Sequence, residues 1–211
     1  MPVRLRILAG LTAAVCAIAL ALQFALILRR VGAQKLPAID AVVVFVMFFT
    51  TQINGLAAAV TGCAAAGLKC FAKRDGLRAA IAVYLMTGVA VFGLVLRHYY
   101  HHRGLQFTAD VLLHYVTPLL YGAFWLLAVP KGGLRWRDPA IWLIYPAVYM
   151  LTALLFGTWS GFFPYPIIDW RTLGMVQVGF TVLALGGVVL AIGLATVALA
   201  RLIDPAARRA P

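Results

Sequence analysis

The chain of 211 residues contains no glutamate and little acidic charge of any kind. Its six acidic side chains are all aspartates, against 18 lysines and arginines, and only 11% of its residues are charged. Hydrophobic residues make up 64% of the sequence, whereas soluble globular domains typically have about 45 to 50%. The mean hydropathy is +0.97. A composition this poor in charge excludes an ordinary soluble domain and indicates an integral membrane protein.

Cysteine is also scarce, and the basic residues are dispersed. Cys16, Cys63 and Cys70 lie in or beside apolar segments, so no structural disulfide is predicted. The net charge of +12 can suggest nucleic acid binding, but the basic residues occur in short groups between apolar segments and never as a basic domain. We therefore predict membrane lipids as partners and no nucleic acid partner.

Six apolar segments are long enough to cross a hydrocarbon core of roughly 30 Å, which takes about 20 helical residues. They are rich in Leu, Ala and Val and lack the two-residue alternation of a transmembrane barrel, which indicates helices. We predict an all-α integral membrane protein whose residues 1–211 form a single domain, a bundle of six transmembrane helices. The spans cover approximately residues 5–28, 39–68, 77–96, 108–129, 139–158 and 173–203.

The distribution of lysine and arginine predicts the orientation of this bundle. With the N terminus in the cytoplasm, twelve basic residues lie on the cytoplasmic side, including Lys69, Lys73, Arg208 and Arg209, and six lie outside. Cytoplasmic loops carry an excess of positive charge, so both termini are predicted to be cytoplasmic. The expected location is the cell (inner) membrane, with the chain crossing it several times.

Four polar side chains interrupt the second apolar segment at Thr50, Thr51, Gln52 and Asn54. A surface facing lipid would carry Leu or Val, so this cluster is expected to face other helices and to wall a polar pocket. Thr50 and Asn54 share one face of a helix. The structural alternative is that the threonines bond their own helix carbonyls and the amides join neighbouring helices.

The fourth segment carries His114, the one histidine well inside a span. Ionisable residues inside a membrane are costly and often functional. Asp110 precedes it by four residues, a spacing that lets a carboxylate hydrogen-bond the imidazole and fix its tautomer. A hydroxyl with an imidazole base is the minimum apparatus for attack on an ester carbonyl, with Thr50 as nucleophile and Thr51 as its adjacent rival. Gln52 or Asn54 can donate hydrogen bonds to the developing oxyanion.

The loop before this segment contains three histidines, His98, His101 and His102. Their spacing allows them to meet on one helical turn, but no Cys, Asp or Glu accompanies them in the loop. An aromatic loop at the membrane interface explains them as well. We therefore predict no metal site, and the sequence indicates no cofactor.

Four motifs extend from the second to the sixth segment. They read Phe49-Thr50-Thr51-Gln52-x-Asn54, then Leu113-His114-x-x-x-Pro118 with Trp125 downstream, then Trp142-x-x-Tyr145-Pro146-x-x-Tyr149, and then Gly161-x-x-Pro164-Tyr165-Pro166-x-x-Asp169. Together they resemble the six-helix membrane family of the androgen-induced proteins and their bacterial relatives. Eukaryotic members are threonine hydrolases that cleave fatty-acid esters of hydroxy fatty acids with an intramembrane Thr and His.

The resemblance implies a hydrolase of carboxylic ester bonds in lipids, with Thr50 as nucleophile and His114 as base. The residues assigned to the substrate pocket or the oxyanion site are Thr51, Gln52, Asn54, Asp110, Tyr145, Tyr149 and Tyr165. The alternative is a transporter or binding protein that holds a lipid or small molecule in the same pocket without cleaving it. Few intramembrane carboxylates for ion coupling and no obvious inverted repeat of spans weigh against transport.

Overall fold

The computed structural model describes residues 1–68 and 74–204, and within these ranges the chain is helical and contains no strand. Lys69, Cys70, Lys73, Arg208 and Arg209, which entered the predictions above, lie outside the described residues. The α-helices are α1 (Val3–Ala33), α2 (Ala38–Met47), α3 (Phe49–Ala66), α4 (Asp75–Leu94), α5 (Gly104–Val111), α6 (Thr117–Ala128), α7 (Asp138–Trp142), α8 (Ile144–Ser160), α9 (Trp170–Leu173) and α10 (Met175–Ile203).

The predicted all-helical fold is confirmed. Five described helical segments are long and apolar enough to cross a membrane, and a sixth is obtained if the bent pair of α2 and α3 counts as one span. Large apolar side chains such as Leu94, Val176 and Leu183 cover the outside of the bundle. Such a surface suits helices that are surrounded by hydrocarbon rather than by water.

Small residues let α1 and α3 pack closely. A Cβ atom built on Gly10 would lie 3.7 Å from the Cβ of Ala65, and one built on Gly62 would lie 3.9 Å from the Cβ of Ala13. The Ala- and Gly-rich half of α3 therefore forms the close helix contact that small residues permit in membrane helices.

The second apolar segment is not the single helix expected over residues 39–68. Its two parts, α2 and α3, meet at an angle of 80°. Phe48 joins them in an extended conformation, with φ of −80° and ψ of 126°. A break of this kind leaves backbone carbonyls at the end of α2 without their helical donors, and in an apolar surrounding these must find other partners.

Side chains supply those partners for the carbonyls of residues 45–48. Thr51 donates its hydroxyl to Phe45 and also, at 2.8 Å, to Phe48. The Gln52 amide donates to Val46 at 2.7 Å, and the Tyr149 hydroxyl donates to Met47 at 2.9 Å. Half of the polar cluster predicted from the sequence thus serves to stabilise the break.

A second irregularity separates α5 from α6. Residues Leu112–Val116 form one π-helical turn, closed by the Thr117 N–H, which donates to the Leu112 carbonyl. Such turns insert an extra residue into a helix and occur often at functional sites. His114 lies in the middle of this turn and is buried, with 8% of its surface exposed.

Pro146, in the first turn of α8, leaves one main-chain carbonyl without its helical partner. Proline lacks an N–H group, so it leaves the carbonyl four residues earlier without a helical donor. That carbonyl belongs to Trp142, at the end of α7, and the Tyr84 hydroxyl of α4 donates to it at 2.7 Å. The bond ties α4 to the junction of α7 and α8.

Candidate active site

A cavity of about 660 Å³ lies among the loops at one end of the bundle. We call it the polar chamber, because it collects side chains that are rare elsewhere in this sequence. Its polar lining comes from α1, α2, α3, the 95–103 loop, α5, the π turn and the 161–169 loop. Members of that lining are Gln23, Arg30, Gln34, Asp40, Thr50, His102, Gln106, Asp110, His114 and Tyr165.

The structure brings Thr50 and His114 together at the inner wall of this chamber. The Thr50 Oγ1 atom lies 3.3 Å from Nε2 of His114 and 3.3 Å from the hydroxyl of Tyr165. Thr50 is the second residue of α3, directly after the break, and His114 is held by the π turn. Each member of the pair therefore depends on a departure from regular helix.

Thr50 is exceptional among the twelve threonines, all of which the structure describes. The hydroxyl of each of the other eleven lies within hydrogen-bond distance of a main-chain carbonyl, usually the one four residues earlier. For Thr50 that residue is Val46, which precedes the break, and its carbonyl accepts from Gln52 instead. The break thus leaves the Thr50 hydroxyl available to side chains and to a ligand.

The surroundings of His114 define its tautomer. Its Nδ1 lies 3.0 Å from the main-chain carbonyl of Asp110, which can only accept, so Nδ1 carries the proton and donates it. Nε2 is then an acceptor that faces the Thr50 hydroxyl. The ring of Phe92 stacks on the imidazole with 3.9 Å between the centroids, which fixes the ring plane.

Asp110 contacts His114, as the sequence predicted, but through its main-chain carbonyl and not through its carboxylate. The Asp110 carboxylate does not orient His114; its Oδ2 accepts from Nδ1 of His102 at 2.5 Å. The Asp110 side chain instead lines the polar chamber beside His102. Sequence reasoning considered His102 as a metal ligand or as part of an aromatic loop at the interface, and it missed this partner.

Further contacts complete the network around Asp110. Gln106 donates to the side chain of Gln23 at 3.0 Å, which connects α5 to α1. Tyr100 stacks on the His102 ring with 5.1 Å between centroids, and burial raises the pKa of the Tyr100 hydroxyl to about 12. In the described parts of the chain, no three His, Cys, Asp or Glu side chains gather to hold a metal ion.

Tyr165 closes the site from the 161–169 loop, which we call the cap. Its hydroxyl accepts the main-chain N–H of Thr50 at 3.3 Å, at the N-terminal end of α3. Burial raises the pKa of this phenol above its ordinary value, so at neutral pH it keeps a proton that it can donate. The sequence predicted Tyr165 as a pocket residue, and the structure places it against Thr50.

The cap is fixed to α8. The ring of Phe163 fills the space above Gly157, where a Cβ atom would collide with it. The Trp170 indole donates to the Thr158 hydroxyl at 3.1 Å, and the Arg171 guanidinium donates to the Thr158 carbonyl at 2.8 Å. These contacts hold the loop that carries Tyr165.

The other predicted pocket residues have supporting positions. Asn54 donates to the carbonyls of Thr50, at 2.8 Å, and Leu113, at 3.3 Å, and accepts from Thr117. It therefore ties the start of α3 to the π turn. Both of its N–H groups go to main-chain carbonyls, so the predicted oxyanion role does not fit this arrangement.

Gln52 and the two tyrosines of α8 form a second supporting group. The Gln52 carbonyl oxygen accepts from the Tyr145 hydroxyl at 2.6 Å, while its amide nitrogen donates to α2. Tyr149 donates to Met47 and packs its ring on Phe49 at 5.0 Å between centroids. The oxyanion role predicted for Gln52 does not fit either, because Gln52 does not line the polar chamber and one of its two amide N–H groups donates to Val46 of the broken helix.

A second cavity of about 290 Å³ adjoins the first, and we call it the apolar chamber. It lies between α4, α8 and α10 and carries no charged residue other than His114, if protonated. Thr50, His114 and Tyr165 line both chambers. The Thr50 hydroxyl therefore stands in the wall between a polar space and an apolar one.

The chain was also compared with known proteins. No protein-family model matches the sequence, and no curated protein and no solved structure matches it. The functional argument therefore rests on the residues and the geometry of this site.

Proposed function

We propose that this protein is a multi-pass membrane hydrolase that cleaves lipid esters with Thr50 as nucleophile and His114 as base. The observation that carries the proposal is the bonding of Thr50. Of twelve threonines, only this one has no main-chain carbonyl within hydrogen-bond distance of its hydroxyl, and that hydroxyl faces an unprotonated imidazole nitrogen at 3.3 Å. A hydroxyl next to an oriented base is the common feature of hydrolases that act through a covalent intermediate.

The reaction follows from these two groups. His114 Nε2 takes the proton of Thr50 while Oγ1 attacks the ester carbonyl carbon, and the same imidazolium then protonates the departing alkoxide as the ester C–O bond breaks. A water molecule next gives a proton to Nε2 and attacks the acyl-threonine. The free acid leaves, and Thr50 recovers its proton.

Two donors are in position to stabilise the negative oxygen of the intermediate. One is the Tyr165 hydroxyl, a phenol that is protonated at neutral pH, and burial raises its pKa further. The other is the Thr50 N–H, which is free for a ligand once Tyr165 turns its oxygen away. Donors of this kind at the N-terminal end of a helix favour developing negative charge.

The proposal includes the membrane arrangement. With α2 and α3 counted as one span, six spans keep both termini on the same side of the membrane, and the excess of basic residues favours the cytoplasmic side. Reporter fusions after Lys73 and after Arg103 are expected to report opposite sides of the membrane. Fusions that report the same side would contradict six spans.

The test of hydrolysis uses the purified protein in lipid nanodiscs with a long-chain fatty-acid ester. Free acid is expected to appear with the wild type, and a fluorophosphonate probe is expected to label Thr50. Ser160→Ala is the matched control for labelling, because Ser160 is the one serine of the chain and also lines the polar chamber. Labelling that survives Thr50→Ala but not Ser160→Ala would refute a threonine nucleophile.

The same experiment separates hydrolysis from the alternative of a binding protein or transporter. If the wild type binds the ester tightly, leaves it intact over many hours and takes up no probe, the pocket holds lipid without cleaving it. Labelling lost in Thr51→Ala but retained in Thr50→Ala would instead move the nucleophile by one residue.

A further inference from the structure

The two chambers differ in the groups that they offer to a ligand. The polar chamber contains charged and amide side chains from Arg30, Asp40, Gln106 and Asp110. In the apolar chamber, apart from Thr50, His114 and Tyr165, the polar side chains already have partners. Thr87 donates to the carbonyl of Val83 at 2.9 Å, and Tyr149 donates to that of Met47 at 2.9 Å. What remains for a ligand there is hydrocarbon.

We infer that the apolar chamber binds the acyl chain of the ester and that the polar chamber receives its alcohol part and the attacking water. This inference rests on the proposed function. If Thr50 attacks the ester carbonyl from the wall between the chambers, one half of the ester extends into each chamber. The apolar chamber gives an acyl chain surroundings as apolar as the lipid tails among which it lies in the membrane, so the chain loses no favourable contacts when it enters. The opposite orientation would place the chain beside the charged groups of Arg30, Asp40 and Asp110, which share the polar chamber with apolar side chains.

The apolar chamber also reaches the side of the bundle. Ala147 of α8 lines it and is exposed, and Val182 and Gly186 of α10 line it and are half-buried. Around this opening the outer surface carries Val148 and Leu183, both more than half exposed. A lipid tail can therefore enter between α8 and α10 directly from the hydrocarbon region, without passing the charged end of the bundle.

Gly186 leaves this path open because it has no side chain. It lines the chamber, and a Cβ atom built on it meets nothing within 4 Å, so a larger side chain has room to extend into the cavity. A Cβ atom built on the neighbouring Gly187 also meets nothing within 4 Å. Gly187 is exposed, however, and is not part of the chamber lining. The pair provides a variant and a matched control on one helix.

The test compares esters of one alcohol with a short and a long saturated acyl chain, in wild type, Gly186→Leu and Gly187→Leu. Gly186→Leu is expected to lower kcat/KM for the long chain by about tenfold or more, as hydrophobic pockets do when a few methylene groups no longer fit. The short chain should lose much less than the long chain, and Gly187→Leu should leave both rates unchanged. Equal losses for both chains, or the same profile in Gly187→Leu, would overturn the inference.

A second measurement distinguishes this inference from the proposed hydrolysis. A fatty acid with a diazirine at its terminal carbon is expected to crosslink to segments 143–150 and 182–189 in the wild type, and less in Gly186→Leu. Crosslinks to the polar chamber would refute the acyl assignment even in an active enzyme. Crosslinks to the expected segments in a protein that never cleaves an ester would retain the acyl site and refute the hydrolase.

Discussion

The break at Phe48 and the π turn at Leu112–Val116 each deliver one half of the Thr50–His114 pair, and they do so by different means. The break interrupts the hydrogen bonds of a helix entirely and needs Thr51, Gln52 and Tyr149 to satisfy the carbonyls that it exposes. The π turn keeps the helix continuous and adds only one residue to a turn. The break exposes carbonyls that need polar side chains as partners, and these are visible in the sequence. The π turn needs almost none and is hardly visible in the sequence.

The difference teaches how a hydroxyl and a base can be prepared in an apolar bundle. A threonine inside a regular helix bonds the carbonyl four residues earlier, so releasing it requires removing that carbonyl, which only a full break does. An imidazole needs a fixed direction rather than freedom, and a π turn changes the direction of a side chain while the main-chain carbonyl of Asp110 still holds it.

The largest effect is expected for Thr50, whose hydroxyl the break at Phe48 leaves without a main-chain partner. Thr50→Ala removes the proposed nucleophile, so turnover and labelling by a fluorophosphonate probe should both disappear. The fold should persist, since a single polar contact inside a membrane is worth only about 1 to 2 kcal/mol. The measurement combines labelling with the helical circular dichroism signal. A folded Thr50→Ala, Thr51→Ala double variant with full activity would exclude threonine catalysis altogether.

The next effect concerns the π turn itself. Deleting Leu112 should convert the turn to regular α-helix and rotate His114 by about 100° relative to α5, because each residue adds that angle to a helix. The base would then leave Thr50, and the hydrolysis rate should fall at least as far as in His114→Ala. Ester hydrolysis is measured beside the melting temperature. An active deletion variant would show that the π turn is not needed to place the base.

His114→Ala is expected to cause a smaller, graded loss. The nucleophile remains but lacks its base, so the rate should fall by roughly 10² to 10⁴-fold, the usual range for a lost general base. Binding of an uncleavable ester analogue should persist. His101→Ala is the matched control, because His101 is exposed and is absent from the lining of both chambers. Equal turnover in the two variants would remove His114 from the mechanism.

The smallest effect on activity is expected where the break is stabilised. Thr51→Val keeps the side-chain shape but removes the hydrogen bonds to the carbonyls of Phe45 and Phe48. Unsatisfied buried acceptors cost about 1 to 3 kcal/mol, so thermal stability should fall while activity at low temperature changes little. Thr61→Val, within the regular part of α3, should be milder because no broken helix depends on it. A loss of labelling in Thr51→Val would reverse the assigned roles of the two threonines.

The helices were predictable from the sequence, because apolar segments of sufficient length have few other solutions. The positions of Thr50, His114 and Tyr165 followed from the motifs, but their bonding did not. The sequence shows four polar residues within one apolar segment, but it does not reveal which of them bond to the carbonyls exposed by a break. The break itself occurs at Phe48, an ordinary apolar residue. The partner of Asp110 was missed for a similar reason, because the extra residue of the π turn has no signature of its own.

The attachment of the cap has a consequence for how the protein loses activity on heating. The bonds of Trp170 and Arg171, directly after the cap, to Thr158 are exposed. The cap itself is held by Phe163 over Gly157, by two buried isoleucines, Ile167 and Ile168, and by the bonds of Tyr165 to Thr50. Segments held by few buried contacts open before the rest of a protein unfolds. Tyr165 would then leave Thr50 while the helices are still intact. Activity should therefore be lost at a lower temperature than helical structure, because the cap opens before the bundle unfolds.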